Sequence, residues 1–127
     1  MKNDKAENAI FATRESVIRY VKEKYGTDPE YLWRKFPECF ALRRESSKKW
    51  YAVVMDVSRE KLGLAGNGKA YVMDVKCSYE SKEVFCNFDG ILPAYHMNKE
   101  KWLTIVLDGT VDMKLASDLI DESYDLV

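Results

Sequence analysis

The sequence has few of the residues that build metal sites and disulfide frameworks. Its three cysteines, Cys39, Cys77 and Cys86, are odd in number and widely spaced, and no C-x-x-C pair occurs. Such spacing argues against a disulfide framework and against a zinc knuckle, so we expect reduced thiols. A single histidine leaves few conventional ligands for a transition metal, and we therefore expect neither a metal nor a cofactor.

Long hydrophobic runs and a leader segment are also missing. Apolar runs such as residues 91–95 stay far below the roughly 20 residues that a membrane-spanning helix requires. The chain opens on the charged residues 1–5 rather than on an apolar stretch, so no signal peptide is expected. The predicted location is the cytoplasm, and no membrane partner is expected.

Neither sign of charge dominates the chain, which has a net charge of −1 and a pI near 5.9. The distribution is nevertheless uneven. Residues 1–101 hold nineteen Lys and Arg against fifteen Asp and Glu, whereas residues 102–127 hold one Lys against six acidic residues. This asymmetry permits one basic face on an acidic protein but does not require one.

The length of 127 residues is enough to bury the apolar side chains of one domain around a single core. Hydrophobic residues at 46% and charged residues at 32% are globular values, so disorder is not expected. We predict a single domain over residues 1–127, with residues 1–6 frayed.

Helical periodicity predicts two longer helices and a short one. Apolar residues recur at helical spacing over residues 13–25, with Thr13 as N-cap and Gly26 as the left-handed residue at the end. A short helix is predicted over residues 78–86 and a terminal helix over residues 112–124. A single further turn is expected over residues 28–33.

Between these helices the sequence favours strands. Residues 39–43 and 50–56, rich in apolar and aromatic side chains, predict a β-hairpin across a polar turn. Further predicted elements are strands at 70–77, 91–95 and 103–107, and a turn at Asp108-Gly109. Successive antiparallel strands need no crossover helix, so the expected fold class is α+β: an antiparallel sheet with helices packed on one face.

The most informative segment is residues 92–99, which gathers a Pro, a Tyr, the only His, an Asn and a Lys just before Trp102. Together with Leu107-Asp108-Gly109 and residues 119–127, this segment resembles the MmcQ/YjbR family of small bacterial proteins. A longer form of the family is also matched at residues 10–15, 24–27, 49–50, 55–57 and 59–64. The resemblance covers nearly the whole chain and implies a CyaY-like fold, in agreement with the elements predicted above.

The resemblance also implies DNA binding with a double-wing arrangement. The two wings would be the hairpin tip and the loop of residues 58–69, which we expect to protrude together as two cationic fingers. Lysine and arginine on projecting loops neutralise phosphates, which gives affinity with little sequence preference. The candidate DNA-binding residues are Arg43, Arg44, Lys48, Lys49, Arg59, Lys61 and Lys69. Glu45 and Glu60 interrupt both clusters, so a solvated hairpin of mixed charge is the alternative.

The segment that ends at Trp102 has two interpretations. In one, Tyr95, His96, Asn98, Lys99 and Trp102 form a cleft that binds a protein or a small molecule, and the chain is an adaptor. In the other, Tyr95 and Trp102 belong to the core, and His96 or Asn98 ties down a turn through backbone hydrogen bonds. The residues alone leave both interpretations open.

No motif predicts catalysis. Residues 66–69 (Gly-Asn-Gly-Lys) lack the spacing of a Walker motif and precede a strand, and His96 has no recognised catalytic order around it. The acidic side chains of the terminal helix are interpreted as its solvated face rather than as an iron site. We expect a non-enzymatic domain whose first candidate partner is DNA and whose second is a protein or small molecule. The sequence leaves its oligomeric state open.

Overall fold

The computed structural model describes residues 11–127, and the tail predicted to be frayed, residues 1–6, lies outside the described residues. Three helices occur in the described part: α1 (Arg14–Tyr25), α2 (Tyr79–Phe85) and α3 (Met113–Leu126). The strands are β1 (Phe11–Thr13), β2 (Phe40–Arg43), β3 (Trp50–Ser58), β4 (Lys69–Lys76), β5 (Ile91–Pro93), β6 (Trp102–Val106) and β7 (Asp108–Asp112).

Five of these strands form one antiparallel sheet in the order β2-β3-β4-β6-β5. The longest pairing joins β3 to β4, from Ala52 opposite Val75 to Ser58 opposite Lys69. The short strands β1 and β7 pair separately as a two-stranded ribbon. The predicted α+β class with an antiparallel sheet is confirmed.

One face of the sheet carries the helices and the main core. Because side chains alternate between the two faces of a strand, Met73 of β4 and Ile105 of β6 both point toward this face. They join Val17 from α1 and Leu119 and Ile120 from α3 in a single buried cluster. Packing of the helices on one face, as predicted, follows from this alternation.

Local signals fix both ends of α1. The Thr13 hydroxyl accepts a hydrogen bond from the Ser16 N–H at 3.1 Å, and the Ser16 hydroxyl accepts one from the Thr13 N–H at 2.9 Å. These two bonds form a capping box. At the other end Gly26 has φ 69°, where a residue without a Cβ is favoured. Both predicted caps are confirmed.

The opposite face of the sheet is covered by connections rather than by helices. Its small apolar cluster consists of Val57, Ala70, Val72 and Val106, and no residue of a described helix belongs to it. We call this side the open face. The connection between α1 and β2 and the connection between β5 and β6 both lie against it.

Two local predictions are wrong. The turn predicted at Asp108-Gly109 is the start of β7, which pairs with β1 so that Phe11 lies opposite Asp112. The pairing partner lies almost a whole chain away, so no local pattern reveals it. The helical turn predicted at residues 28–33 is absent, because Glu30 exchanges two backbone hydrogen bonds of 3.0 Å with Ala41 at the free edge of β2.

The prediction that two cationic fingers protrude together is also wrong. The hairpin turn between β2 and β3 precedes Trp50, and the loop between β3 and β4 follows Ser58. The two loops therefore leave opposite ends of β3. At about 3.3 Å per residue along a strand, those ends lie roughly 26 Å apart.

Candidate functional site

All three tryptophans of the chain lie at the open face. Trp50 begins β3, Trp102 begins β6, and Trp33 lies in the connection between α1 and β2. Each of the three side chains is half-buried, and the rings of Trp33 and Trp50 meet edge to face with centroids 5.6 Å apart. Half-buried indole rings on a concave surface are suited to stacking against flat groups.

The larger depression on this face is a cavity of about 530 Å³, which we call the aromatic cleft. Its floor is formed by β3, and its walls come from the α1–β2 and β5–β6 connections. The lining residues are Trp33, Phe36, Cys39, Trp50, Val53, Met55, Asp56, Val57, Ser58, Lys61, Lys69, Tyr95, His96 and Met97.

A second, shallower depression of about 330 Å³ lies at the hairpin end of the sheet, and we call it the cationic basin. Its lining residues are Arg43, Lys48, Lys49, Trp50, Lys76, Met97, Trp102 and Val127. No Asp or Glu side chain of the part of the chain that the structure describes belongs to this lining. Trp50 and Met97 line both depressions, so the basin and the cleft adjoin each other.

The two arginines of the hairpin are engaged within the fold. Arg43 holds the Glu30 carboxylate with two nitrogens: its Nε lies 3.1 Å from Oε2, and its Nη2 lies 3.1 Å from Oε1. Arg44 donates from Nη1 to the carbonyl oxygen of Tyr124 at 2.7 Å, with its guanidinium over the ring of that tyrosine. Neither arginine is therefore available as a freely extended cation.

The lysines of the basin differ from these arginines. Lys48 and Lys49 are exposed and Lys76 is half-buried. Within residues 11–127 none of the three ammonium groups has a hydrogen-bond or ion-pair partner. The basin thus presents three cations whose charge is not balanced by a carboxylate side chain in its own lining.

Backbone strain coincides with two of the predicted site residues. Among the described non-glycine residues, only Lys48 (φ 65°) and His96 (φ 68°) have a positive φ. For a residue with a Cβ this left-handed conformation costs roughly 1–2 kcal/mol. Such strain persists where the surrounding structure imposes it, and it is concentrated at functional segments.

Two of the three candidate cations at the β3–β4 connection, Arg59 and Lys69, have acidic neighbours. Arg59 Nη1 lies 3.8 Å from Asp108 Oδ2, and Lys69 Nζ lies 3.7 Å from Asp56 Oδ2. Lys61 is exposed and forms no ion pair with any described residue. Lys61 and Lys69 line the aromatic cleft, so this loop borders a different depression from the hairpin tip.

The predicted cleft of residues 95–102 is divided between the two depressions. Tyr95 and His96 line the aromatic cleft with ring centroids 4.1 Å apart, whereas Trp102 lines the basin. Asn98 ties down a turn instead: its side-chain oxygen accepts the backbone N–H two residues later at 2.8 Å, and its carbonyl oxygen accepts the Trp102 N–H at 3.0 Å. Lys99 is exposed and lines neither depression.

A buried carboxyl group, Asp74, supports the wall of the aromatic cleft that contains Tyr95, and it was missed by the sequence reasoning. It is fully buried, and its Oδ1 accepts a hydrogen bond from the Thr104 hydroxyl, which in turn accepts the Tyr95 N–H at 2.8 Å. Its Oδ2 has no partner among the described residues. Burial raises the pKa of Asp74 to about 7, although the Thr104 hydrogen bond and the charge of Lys99 act in the opposite direction.

Other features concern the described residues as a whole. Cys39, Cys77 and Cys86 are free thiols, and burial raises the pKa of Cys77 to about 11. No three His, Cys, Asp or Glu side chains converge anywhere in residues 11–127. None of the described helices combines the length and the apolar character that crossing a bilayer requires.

The fold and the open face define a small α+β domain whose antiparallel sheet is covered by helices on one side only. Comparison with known proteins names its family: the chain belongs to the YjbR family, whose model matches residues 22–126. It is 46% identical over 114 residues to the uncharacterised protein YyaQ of Bacillus subtilis. The matched region covers 90% of this chain and 97% of that protein. The predicted family is confirmed.

Solved structures agree with this assignment. A crystal structure of a Pseudomonas syringae protein matches with a TM-score of 0.85 at 39% identity, covering 90% of this chain and 97% of that chain. A Deinococcus radiodurans protein matches with a TM-score of 0.67 at 23% identity, covering 92% of this chain and 79% of that chain, which shows a shared fold alone.

Proposed function

We propose that this protein binds DNA through the cationic basin, with little sequence preference and without catalysing a reaction on it. The observation that carries the proposal is the composition of the basin. Three lysines that have no hydrogen-bond or ion-pair partner among residues 11–127 line the basin together with two half-buried tryptophans, and no carboxylate side chain of these residues belongs to the lining.

Each element of this composition matches a part of a nucleic-acid strand. Lysine ammonium groups neutralise phosphates and release counterions, and such contacts carry no information about the base sequence. Trp50 and Trp102 offer ring faces on which unpaired bases stack. A single strand can use both contacts, whereas a duplex keeps its bases stacked on each other, so we expect the single strand to bind more tightly.

The proposal replaces two wings by one. Of the seven candidate cations, Arg43, Lys48 and Lys49 of the hairpin line the basin. The β3–β4 loop lies at the other end of β3. The strained backbone of Lys48 supports the choice of this end, since a left-handed lysine is retained at the tip of the hairpin despite its cost.

A salt titration with fluorescently labelled DNA tests the proposal. Three phosphate contacts on a single strand predict that log K falls with log salt with a slope of about −2. Raising the salt concentration from 50 to 200 mM would then weaken binding roughly 15- to 20-fold. Lys48→Glu combined with Lys49→Glu removes two of these contacts and is expected to make the slope shallower, at about −0.7.

The matched control is Lys61→Glu combined with Lys69→Glu, which makes the same change of charge at the other end of β3. This variant is expected to keep DNA affinity within about threefold of wild type, because charges more than a Debye length away are largely screened. The proposal fails if neither single-stranded nor duplex DNA binds at 50 mM salt. It also fails if both double variants lose affinity equally.

A further inference from the structure

Apart from Trp50, the residues that line the aromatic cleft take no part in the proposed DNA contacts, and the cleft has the properties of a small-molecule site. Its volume of about 530 Å³ lies within the range of ligand pockets, roughly 300–1,000 Å³. Its floor is apolar: Val53, Met55 and Val57 alternate along β3 toward the open face. This floor therefore favours contact with an apolar part of a ligand.

The walls of the cleft favour a flat ring over an aliphatic chain. Trp33 and Phe36 stand on one side, and Tyr95 and His96 on the other. Aromatic walls on both sides offer offset-stacked and edge-to-face contacts, each worth about 0.5–1.5 kcal/mol beyond burial of area. Phe36 is 58% exposed in this structure, so one wall has apolar surface that a ligand would cover.

The charge of the cleft is concentrated at the end formed by the β3–β4 loop. Lys61, Lys69 and Asp56 line this end with the Ser58 hydroxyl. The carboxylate of Asp56 balances Lys69 at 3.7 Å, and Lys61 has no ion-pair partner among the described residues. The end of the cleft thus carries one cation in excess, which complements one anionic group.

We propose that the aromatic cleft binds a flat aromatic molecule that carries a single negative charge, with its ring between the aromatic walls and its anionic group near Lys61. The site is distinct from the basin: of residues 11–127, the two linings share Trp50 and Met97 alone. It does not depend on DNA binding.

A matched pair of probes tests this inference. 2-Naphthoate and 2-naphthamide have the same ring system, but only the first is an anion. The readout is the indole N–H signal of each tryptophan in a ¹H–¹⁵N spectrum, assigned with Trp33→Phe and Trp102→Phe variants. We expect 2-naphthoate to shift the signals of Trp33 and Trp50 saturably, to leave Trp102 almost unmoved, and to bind about fivefold more tightly than 2-naphthamide.

The same two double variants serve this test, but the one that was the control for DNA binding is now the test variant, and the other is its control. Lys61→Glu combined with Lys69→Glu is expected to abolish the preference for the anion, and Lys48→Glu combined with Lys49→Glu is expected to retain it. If the first variant does not fold, Trp33→Ala is expected to weaken binding of 2-naphthoate at least fivefold, because one of the two rings of that aromatic wall is lost. The inference is overturned if the shifts centre on Trp102, if both probes bind equally, or if the hairpin variant loses the probe.

Discussion

Asp74→Asn is expected to stabilise the protein at alkaline pH and to remove most of the pH dependence of its stability between pH 5 and pH 8.5. One oxygen of the buried carboxyl group accepts a hydrogen bond from the Thr104 hydroxyl. The other has no hydrogen-bond partner among the described residues. The asparagine side chain has nearly the same shape and no charge. The substitution therefore isolates the cost of burying the carboxylate.

The sign and size of the effect follow from the pKa of Asp74, which burial raises from 3.8 to about 7. The folded state binds the proton of the Asp74 carboxyl more tightly than the unfolded state does. The contribution of this proton to the free energy of unfolding is therefore complete below pH 3.8 and is lost as the pH rises through 7. At about 1.4 kcal/mol per pKa unit the full shift corresponds to about 4 kcal/mol as an upper limit. Roughly 2.5 kcal/mol of this falls between pH 5 and pH 8.5.

The variant should cross the wild type within this window. At pH 5 the Asp74 carboxyl is protonated. The asparagine amide of the variant has an N–H without a partner, so the variant is expected to be less stable than the wild type by about 1 kcal/mol. At pH 8.5 the wild type has lost its contribution, so Asp74→Asn is expected to be more stable by about 1–2 kcal/mol.

Urea unfolding followed by far-ultraviolet circular dichroism at the two pH values measures both differences. Asp108→Asn is the matched control: although partial burial acts in the opposite direction, hydrogen bonds from Thr110 and the charge of Arg59 lower the pKa of this carboxyl from its usual 3.8. That group does not titrate in the window. A wild type equally stable at pH 5 and pH 8.5, or an Asp74→Asn variant less stable at both, would refute the reasoning.

Two further substitutions test the packing and the hairpin tip. Ser123→Ala removes a buried hydroxyl that accepts the Lys76 N–H at 2.9 Å and donates to the Tyr51 carbonyl oxygen at 2.6 Å. It is expected to cost about 2–4 kcal/mol in urea unfolding, and a loss no larger than that of Ser117→Ala would contradict this role. Lys48→Gly relieves the positive φ, so we expect a gain of about 0.5–1 kcal/mol in stability together with weaker DNA binding. Unchanged DNA affinity would remove this lysine from the proposed site.

Sequence reasoning succeeded where the determining contacts are local. The cap at Thr13 depends on a partner three residues away, and the left-handed Gly26 follows directly from the end of a helical pattern. The strands were likewise predicted within one or two residues, because the alternation of side chains is set within each strand. The ribbon formed by β1 and β7 lacks such a signal, since its two partners are short and far apart in the chain.

The expectation that the two cationic loops protrude together failed for a different reason. Residue type and position in loops give these cations a common appearance in the sequence, but one predicted strand separates the two loops. Because an extended strand has two ends, loops before and after it cannot protrude from the same end. Pairing also altered the candidate set, since Arg43 is held by Glu30 and Arg59 lies near Asp108. These pairings depend on tertiary packing.

No local sequence pattern predicts that Asp74 is buried. The residue lies at a position of β4 whose side chain alternates away from the helices, where a polar residue is ordinarily solvated. It is buried because the sheet's open face is covered there by the connection that contains Tyr95, which follows β5. A group buried by a distant segment has no signature in its own strand.

The shared wall gives the two proposed sites a physical connection. Met97 and Trp50 line both depressions, and the same wall is tied to the centre of the sheet through Tyr95, Thr104 and Asp74. If both sites bind their ligands, a molecule in the cleft that changes the position of Trp50 changes DNA affinity. The coupling must then be reciprocal, so DNA would alter the affinity for that molecule by the same factor. Because Thr104 links Tyr95 to Asp74, whose pKa burial raises to about 7, we expect any such coupling to change as the pH passes through about 7.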